Sequence, residues 1–512
     1  MTLPDPRLSV FDAGPPVPCP ARINLAAYVL AGGARDRVAL RVLDGDGAVD
    51  WQAHALEAAV RRVAAGLRQA GLRSGERVAL RIGNSVDFPL LFFGTIAAGG
   101  VAAVLSTQLT AAELTPLLAE IAPRLVVTTR AEGMPESTPR LVIAGWEEIA
   151  SDAPGEIADT GAEDPAFLIY TSGTGGRPKG VLHAQRAGWA RRMMWDGWYG
   201  LGPGDRVLHA GAFNWTYTLG AGLIDPWAAG AMSLVYTGRS DPALWPRLAQ
   251  AEGATIFAAV PGVYRQMLRT GDDLGQAFRC LRHGLSAGEA LPEALRTAWQ
   301  AATGTPIYEA LGMSEVSTYV SSSPTVPHRP GTAGRPQIGR RVAVVDPAGQ
   351  PVPLGDEGVL AVARRDPGLM LGYWQRPAET AESFRGEWFL TGDRARMDAD
   401  GYITHLGRAD EVMTALGYRV SPAEVEAAME PHPAVAEIAV AELPVRADLK
   451  LIAAFVRPVG PWPGEEALEI WAAERLAPYK RPRIWIQVDA LPRTQTGKLV
   501  RSQLIASHRR DL

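Results

Sequence analysis

Cysteine is almost absent from this chain: Cys19 and Cys280 are the two it has in 512 residues. Two thiols supply neither a disulfide framework nor a zinc site, and both read as small buried apolar side chains of a protein kept in a reducing cytoplasm. An excess of either charge is missing too. The 51 Lys and Arg stand against 55 Asp and Glu, for a net charge of -4. No polybasic footprint argues for nucleic acid or an anionic membrane, so the expected partner is a small molecule. No long apolar run is present either. Leu90 to Leu105 is uncharged, but it falls short of the roughly 20 residues a membrane span needs, and Gly99-Gly100 interrupts it. It reads as a buried helix, a turn and a buried strand, with no stable membrane insertion. The N-terminus carries an acidic residue and prolines where a secretory leader needs positive charge and an apolar stretch, which argues against export. Internal repeats and low-complexity segments are also lacking.

With 47% hydrophobic residues, a chain of this length can bury a large core and divide into two or more domains. Leu56, Val60, Val63 and Leu67 recur at helical spacing, Gly71 stops the helix, and Glu76 to Ile82 follows as a strand. The same helix-then-strand alternation recurs at TPLLAEIAPRLVVTT and LWPRLAQAEGATIFAAV, which makes the fold class α/β, with helices flanking parallel sheets. Toward the C-terminus, Asp400-Gly401 marks the turn of a hairpin. Beyond Asp410 come a predicted capping box at Ser421-Pro422-Ala423-Glu424, a helix through Met429, the strand-like runs AVAEIAVAEL and LKLIAAFVRP, an amphipathic helix around EEALEIWAAERL and the run RIWIQVDAL. The expected organisation is a large domain over 1–409 and a small mobile α/β domain over 410–512.

The most informative segment follows the apolar run that ends at Tyr170: Thr171, Ser172, Gly173, Thr174, Gly175, Gly176, Arg177, Pro178, Lys179, Gly180. Closely spaced glycines let backbone N–H groups wrap phosphate oxygens, hydroxyls add hydrogen bonds, and Lys179 adds charge, so the loop suits a triphosphate. The rival Walker loop needs Gly-Lys followed by Ser or Thr. Here Pro178 precedes Lys179 and Gly180 follows it, so that spacing fails.

The segment resembles the phosphate loop of the adenylate-forming superfamily, which includes acyl-CoA synthetases, aryl-CoA ligases, peptide-synthetase adenylation domains and firefly luciferase. Further motifs extend the resemblance over essentially the whole chain. Glu309, Ala310, Leu311, Gly312, Met313, Ser314 and Glu315 match the adenine-binding loop. The resemblance implies that Ser314 meets the α-phosphate and that Glu315 binds magnesium, as suits a hard cation bridging phosphates. Leu311 stands where the family usually has Tyr. Asp393 in Thr391-Gly392-Asp393 is implied as the acceptor for the ribose hydroxyls, Arg408 as a cation for ribose and phosphate, and Asp410 as the hinge. The resemblance also implies that the segment GLSAGEAL closes the adenine and acyl site, with Gly288 and Glu289 nearest the nucleotide. Lys498 in PRTQTGK corresponds to the catalytic lysine, which bridges the carboxylate nucleophile and the α-phosphate.

For the second half-reaction, Leu416, Gly417, Tyr418 and Arg419 resemble the segment lining the pantetheine tunnel, and Tyr479, Lys480 and Arg481 resemble a CoA phosphate contact. Phe213, Trp215, Thr216, Tyr217 and Leu219 fall at the family's acyl-pocket helix. Their aromatic, nearly uncharged character fits an aryl, alicyclic or medium-length aliphatic acid, most like medium-chain acyl-CoA synthetases and benzoate-type ligases. An amino-acid substrate needs an Asp for its ammonium, and none lies between Phe213 and Asp225. The resemblance thus implies an ATP-, Mg2+- and CoA-dependent acid–thiol ligase, expected as a monomer or homodimer. Two alternatives stay open: an enzyme that loads a separate acyl-carrier protein, and a nucleotide-binding regulator without catalysis.

Overall fold

The structure, a computed structural model, describes residues 7–508 except 13, 46, 137, 139, 172–177, 239–240, 409–412, 416–417, 447–448 and 493–498. Leu56, Val60, Val63 and Leu67 line the buried face of the helix Ala53–Gln69, and the strand Arg77–Arg81 follows. Every residue of the helix Asp87–Ala97 except Asp87 is buried. Gly99 then turns the chain at φ +85° into the buried strand Val101–Val104. Each fully buried Leu or Phe of this unit contributes roughly 1.5–3 kcal/mol, which is why an uncharged run this short belongs to a protein core. No helix among the described residues is long and apolar enough to cross a membrane.

Two large sheets carry the parallel strands. In the seven-stranded sheet, Pro165–Thr171, Val101–Val104, Arg77–Arg81, Leu125–Thr128 and Leu141–Ile143 run parallel, and Lys179–Ala184 folds back antiparallel on Pro165–Thr171. In the nine-stranded sheet, Ile307–Met313, His283–Ala287, Ile256–Ala259, Arg206–His209, Met232–Tyr236 and Val38–Leu43 form the parallel centre. A third, antiparallel sheet holds Trp388–Met397, and the hairpin predicted at Asp400-Gly401 pairs it with Ile403–Arg408. After Arg408 the pairing pattern changes. Met413–Ala415 pairs with Tyr418–Val420, and a separate three-stranded sheet of Val435–Arg446, Leu449–Pro458 and Ile484–Gln487 packs with the helices Pro422–Met429 and Glu465–Arg475.

Four local expectations need correction. Cys19 is half-buried and Cys280 exposed, because both lie outside the strands and helices that build the core. Ser421 starts the helix with Pro422 at its first position, yet the Ser421 side chain makes no cap hydrogen bond. Glu424, which would complete that capping box, accepts instead from Lys480. The capping box that does form is Thr110 with Glu113, at the start of the helix Ala111–Ile121. Lastly, Glu309 to Met313 is strand rather than loop, because its backbone continues the parallel ladder from His283–Ala287; only residues 314–316 turn.

Candidate active site

The carboxyl ends of Pro165–Thr171, His283–Ala287 and Ile307–Met313 lie close together, the usual place for a ligand in parallel α/β sheets. A groove of about 1210 Å3 opens there, lined by Gly288, Glu289, the Glu309–Met313 strand including Leu311, and Asp393. Glu309 is tied down by the Leu291 N–H at 2.9 Å and Arg296 at 3.0 Å, and burial pushes its carboxyl up to about 7. Asp393 lies 3.3 Å from His405 Nε2, and its backbone pairs in register with Arg408.

Thr171 pairs in register with Lys179, so the ends of the Gly-rich segment are held together. Lys179 Nζ lies 2.8 Å from Glu379 and 4.7 Å from the centre of the Tyr373 ring. The Tyr373 hydroxyl donates to Glu315 Oε1 at 2.9 Å, while Arg419 Nη1 approaches Glu315 Oε2 to 3.8 Å. Glu315 is buried, and Oε2 has no hydrogen-bond partner among the described residues. A buried carboxylate oxygen without a hydrogen-bond partner is a fitting ligand for a hard divalent cation. No cluster of three or more His, Cys, Asp or Glu exists among the described residues, so such an ion would depend on phosphate and water for its remaining ligands. Behind this turn the His183 ring donates from Nε2 to the Ser314 carbonyl at 2.8 Å and stacks on Phe167; burial lowers its pKa to about 4 and keeps it neutral. Arg191 forms a buried pair with Asp225 and donates to Ser317 Oγ at 2.6 Å, which anchors the strand leaving Glu315.

A second cavity, of about 130 Å3, joins this turn to the small domain. Its walls include Trp215, Thr216, Tyr217, Gly288, Met313 and Ser314 on one side and Tyr418, Arg419 and Tyr479 on the other. The rings form a continuous aromatic wall. Trp215 meets Tyr217 edge-on at 5.2 Å and Tyr418 at 5.6 Å, and Tyr418 stacks on Tyr479 at 4.2 Å.

Phe213 and Leu219 do not line these cavities, whereas Lys480 borders the smaller one and Arg481 the groove with their charged groups engaged by protein partners. Phe213 precedes the helix that starts at Thr216, stacks on Phe88 at 5.0 Å and packs into the main core. Leu219 belongs to that same core and borders only a small neighbouring void. Asp225 is held by Arg191, so no free carboxylate awaits a substrate ammonium there. Lys480 does not present its charge to a phosphate: its Nζ is buried between Glu113 at 2.8 Å and Glu424 at 2.6 Å. Burial opposes that charge, but the Tyr479 phenol and the two carboxylates outweigh it and raise the pKa. Arg481 donates to the Leu476 and Ala473 carbonyls. Ala310 and Gly312 continue the strand beside the groove. Ser172, Gly173, Thr174, Gly175, Asp410, Leu416, Gly417, Lys498 and the Arg408 side chain lie outside the described residues.

Comparison with known proteins gives the family. A family model described as AMP-binding enzyme matches residues 30–374, and its C-terminal domain model matches 424–498. The chain belongs to the AMP-binding enzyme family. Among the relatives of this AMP-binding enzyme is the 3-hydroxybenzoate–CoA ligase of Aromatoleum sp. (strain CIB), 32% identical over 472 residues, covering 88% of this chain and 90% of that protein. Among solved structures, the anthranilate CoA ligase AuaEII in complex with anthranoyl-AMP is 29% identical, covers 96% of this chain and 98% of its own, and superposes with a TM-score of 0.71. A double mutant of the o-succinylbenzoate CoA synthetase of Bacillus subtilis, bound to a CoA product analogue, is 25% identical, covers 94% and 98%, and reaches a TM-score of 0.83.

Sequence reasoning missed Tyr373, Glu379, His183 and the Arg191–Asp225 pair. None carries a chemical spacing signal: Tyr373, Glu379 and His183 touch a motif residue, and the Arg191–Asp225 pair holds Ser317 just beyond one. Glu113 was missed for the same reason, although its Thr110-x-x-Glu113 spacing was a readable cap signal.

Proposed function

We propose that this AMP-binding enzyme converts a single-ring aromatic carboxylic acid into its CoA thioester. The enzyme is an AMP-forming acid–thiol ligase: the acid and ATP give acyl-AMP and pyrophosphate, then CoA gives acyl-CoA and AMP. The observation that carries the reading is the cavity in which Trp215 and Tyr217, the Ser314–Glu315 turn, and Tyr418 with Tyr479 meet, since acid, phosphate and thiol must converge on one carbonyl. Its small volume and aromatic walls suit one ring better than a long alkyl chain, and the aromatic acids named for the relatives support that choice.

In the first step a carboxylate oxygen attacks the α-phosphorus and the bond to pyrophosphate breaks. Lys179 and the Gly-rich segment hold the phosphates, the Asp393 carboxylate takes the ribose hydroxyls, and the Lys498 ammonium offsets charge between carboxylate and α-phosphate in the transition state. Glu315 would hold Mg2+, which when bound neutralises charge moving onto pyrophosphate. In the second step the CoA sulfur attacks the acyl carbonyl, AMP leaves and the thiol proton passes to solvent. Two domains, 1–409 and 410–512, turn about Asp410 between the steps. Contact of Tyr418 and Arg419 with Trp215 and Glu315 supports a thioester-forming arrangement here, as does the higher TM-score against the CoA product analogue complex despite its lower identity. The absence of any cysteine pair fits a cytoplasmic enzyme.

The test is AMP and thioester formation with Mg-ATP over benzoate, hydroxybenzoates, aminobenzoates, cyclohexanecarboxylate and straight-chain acids from butanoate to dodecanoate, with and without CoA. CoA-dependent thioester from the benzoates ahead of the alkyl acids is the expected result. Preference for octanoate or longer acids would refute the aromatic assignment, and adenylate without thioester would refute CoA as acceptor.

A further inference from the structure

The segment Arg475 to Lys480 of the small domain docks on the first turn of the helix Ala111–Ile121 of the large one. Ala477 and Tyr479 enter the apolar cluster that Leu109, Leu114 and Leu117 build there. Beside that contact, Thr110 Oγ lies 3.3 Å from the Arg475 carbonyl. Lys480 closes the docking point. Its Nζ joins Glu424, inside the small domain, to Glu113, across the domain boundary. Both glutamates occupy the third position of a helix, where carboxylates are stabilised by the helix N-terminus.

The geometry points to Lys480 as a positioning residue for thioester formation: through Glu113 it holds Tyr479 and Tyr418 against Trp215, so that the tunnel wall is in place when the thiol arrives. This rests on the two-step ligase reading above. The arrangement of the carboxylates makes the contact reversible. When the domains part, Lys480 keeps Glu424, and Glu113 Oε2 keeps the Thr110 N–H and hydroxyl, each at 3.0 Å. Neither charge is stranded without a partner, which avoids the heavy cost of breaking a buried pair. The link therefore favours the closed arrangement without preventing the opening that adenylation needs, and it acts on one half-reaction only.

The test compares wild type with Glu113→Gln in two single-turnover assays, using the best acid from the screen: pyrophosphate release without CoA, and thioester formation from the supplied acyl-AMP plus CoA. Gln at the third helical position still serves a capping box, so the helix start is preserved. Losing one charge-assisted bond is expected to slow thioester formation about tenfold, with pyrophosphate release and the KM for CoA within about twofold of wild type. Lys480→Met is expected to slow the same step, and adding Glu113→Gln to it should cost nothing further, since both remove one interaction. The proposal is overturned if Glu113→Gln makes thioester at the wild-type rate, or if both half-reactions fall equally, which marks a merely structural role. It is also overturned if Lys480→Met raises the KM for CoA while Glu113→Gln is silent, which marks a direct CoA contact. Absence of thioester from wild type would remove the ligase reading and this proposal together.

Discussion

Tyr373 touches both Glu315 and Lys179, the charged groups proposed to meet cation and phosphate, and Tyr373→Phe separates its two contributions. The hydroxyl donates to Glu315 Oε1 at 2.9 Å, and the ring lies 4.7 Å from Lys179 Nζ. Phe keeps the ring and deletes the donor. Because Glu315 is only 3% exposed, water cannot readily replace that bond. A hydrogen bond to a charged group is worth about 1.5–3 kcal/mol, which corresponds to roughly a ten- to hundredfold fall in rate if the carboxylate is held less well in the transition state. The expected result is therefore adenylation slowed at least about tenfold and an Mg2+ requirement shifted to higher concentration, with the KM for ATP little changed because Lys179 keeps its aromatic neighbour. Initial rates of pyrophosphate release across an Mg2+ titration at fixed ATP read both effects. Tyr373→Leu, which also removes the ring, should raise the KM for ATP as well. A Phe variant that adenylates within about twofold of wild type at every Mg2+ concentration would refute the link between Tyr373, Glu315 and the cation.

Three further outcomes follow from the packing. A Cβ at Gly220 would fall 1.7 Å from Arg191 Nη2, so Gly220→Ala must displace the guanidinium from Asp225; a loss of about 3–5 kcal/mol is expected in urea unfolding, and a loss under about 1 kcal/mol would show that the pair can shift aside. Trp215→Ala opens the aromatic wall between Tyr217 and Tyr418, and should lower kcat/KM for benzoate-sized acids about tenfold while favouring bulkier ones; an unchanged acid profile would remove Trp215 from the pocket. Stability should also fall in mild acid. Burial holds His183 and His283 near about 4 and His209 near about 3, below the ordinary histidine value, so they bind fewer protons folded than unfolded and their stabilisation, present above about pH 6.5, is lost as pH falls toward 4. Glu309, pushed up to about 7, acts in the opposite sense, leaving a net slope of at most about 3 kcal/mol per pH unit between pH 6.5 and 4.5. A urea midpoint that stays flat from pH 7 to 5 would contradict these buried neutral histidines.

The amino-acid order alone determined the α/β class, because the periodicity of Leu56, Val60, Val63 and Leu67 and the apolar strands after them depend only on local spacing. The motifs behind the proposed chemistry are local too: the Gly-rich segment ahead of Lys179, the Ser314-Glu315 pair and Asp393 each lie within a few residues of their motif partners in the sequence. What tertiary structure decided is which of these groups face a cavity and what holds them. Phe213 and Trp215 are two residues apart, yet one is core and the other pocket wall, since Phe88 lies across from the first and Tyr418 from the second. Lys480 looked like a phosphate ligand by its neighbours in sequence, but Glu113, distant along the chain, takes its charge. A capping box closes at Thr110–Glu113 although Glu113 also meets that lysine, whereas the Ser421 side chain makes no cap hydrogen bond. Local patterns record what a short stretch favours by itself, whereas the use made of a charged or aromatic side chain depends on partners that only folding brings within reach.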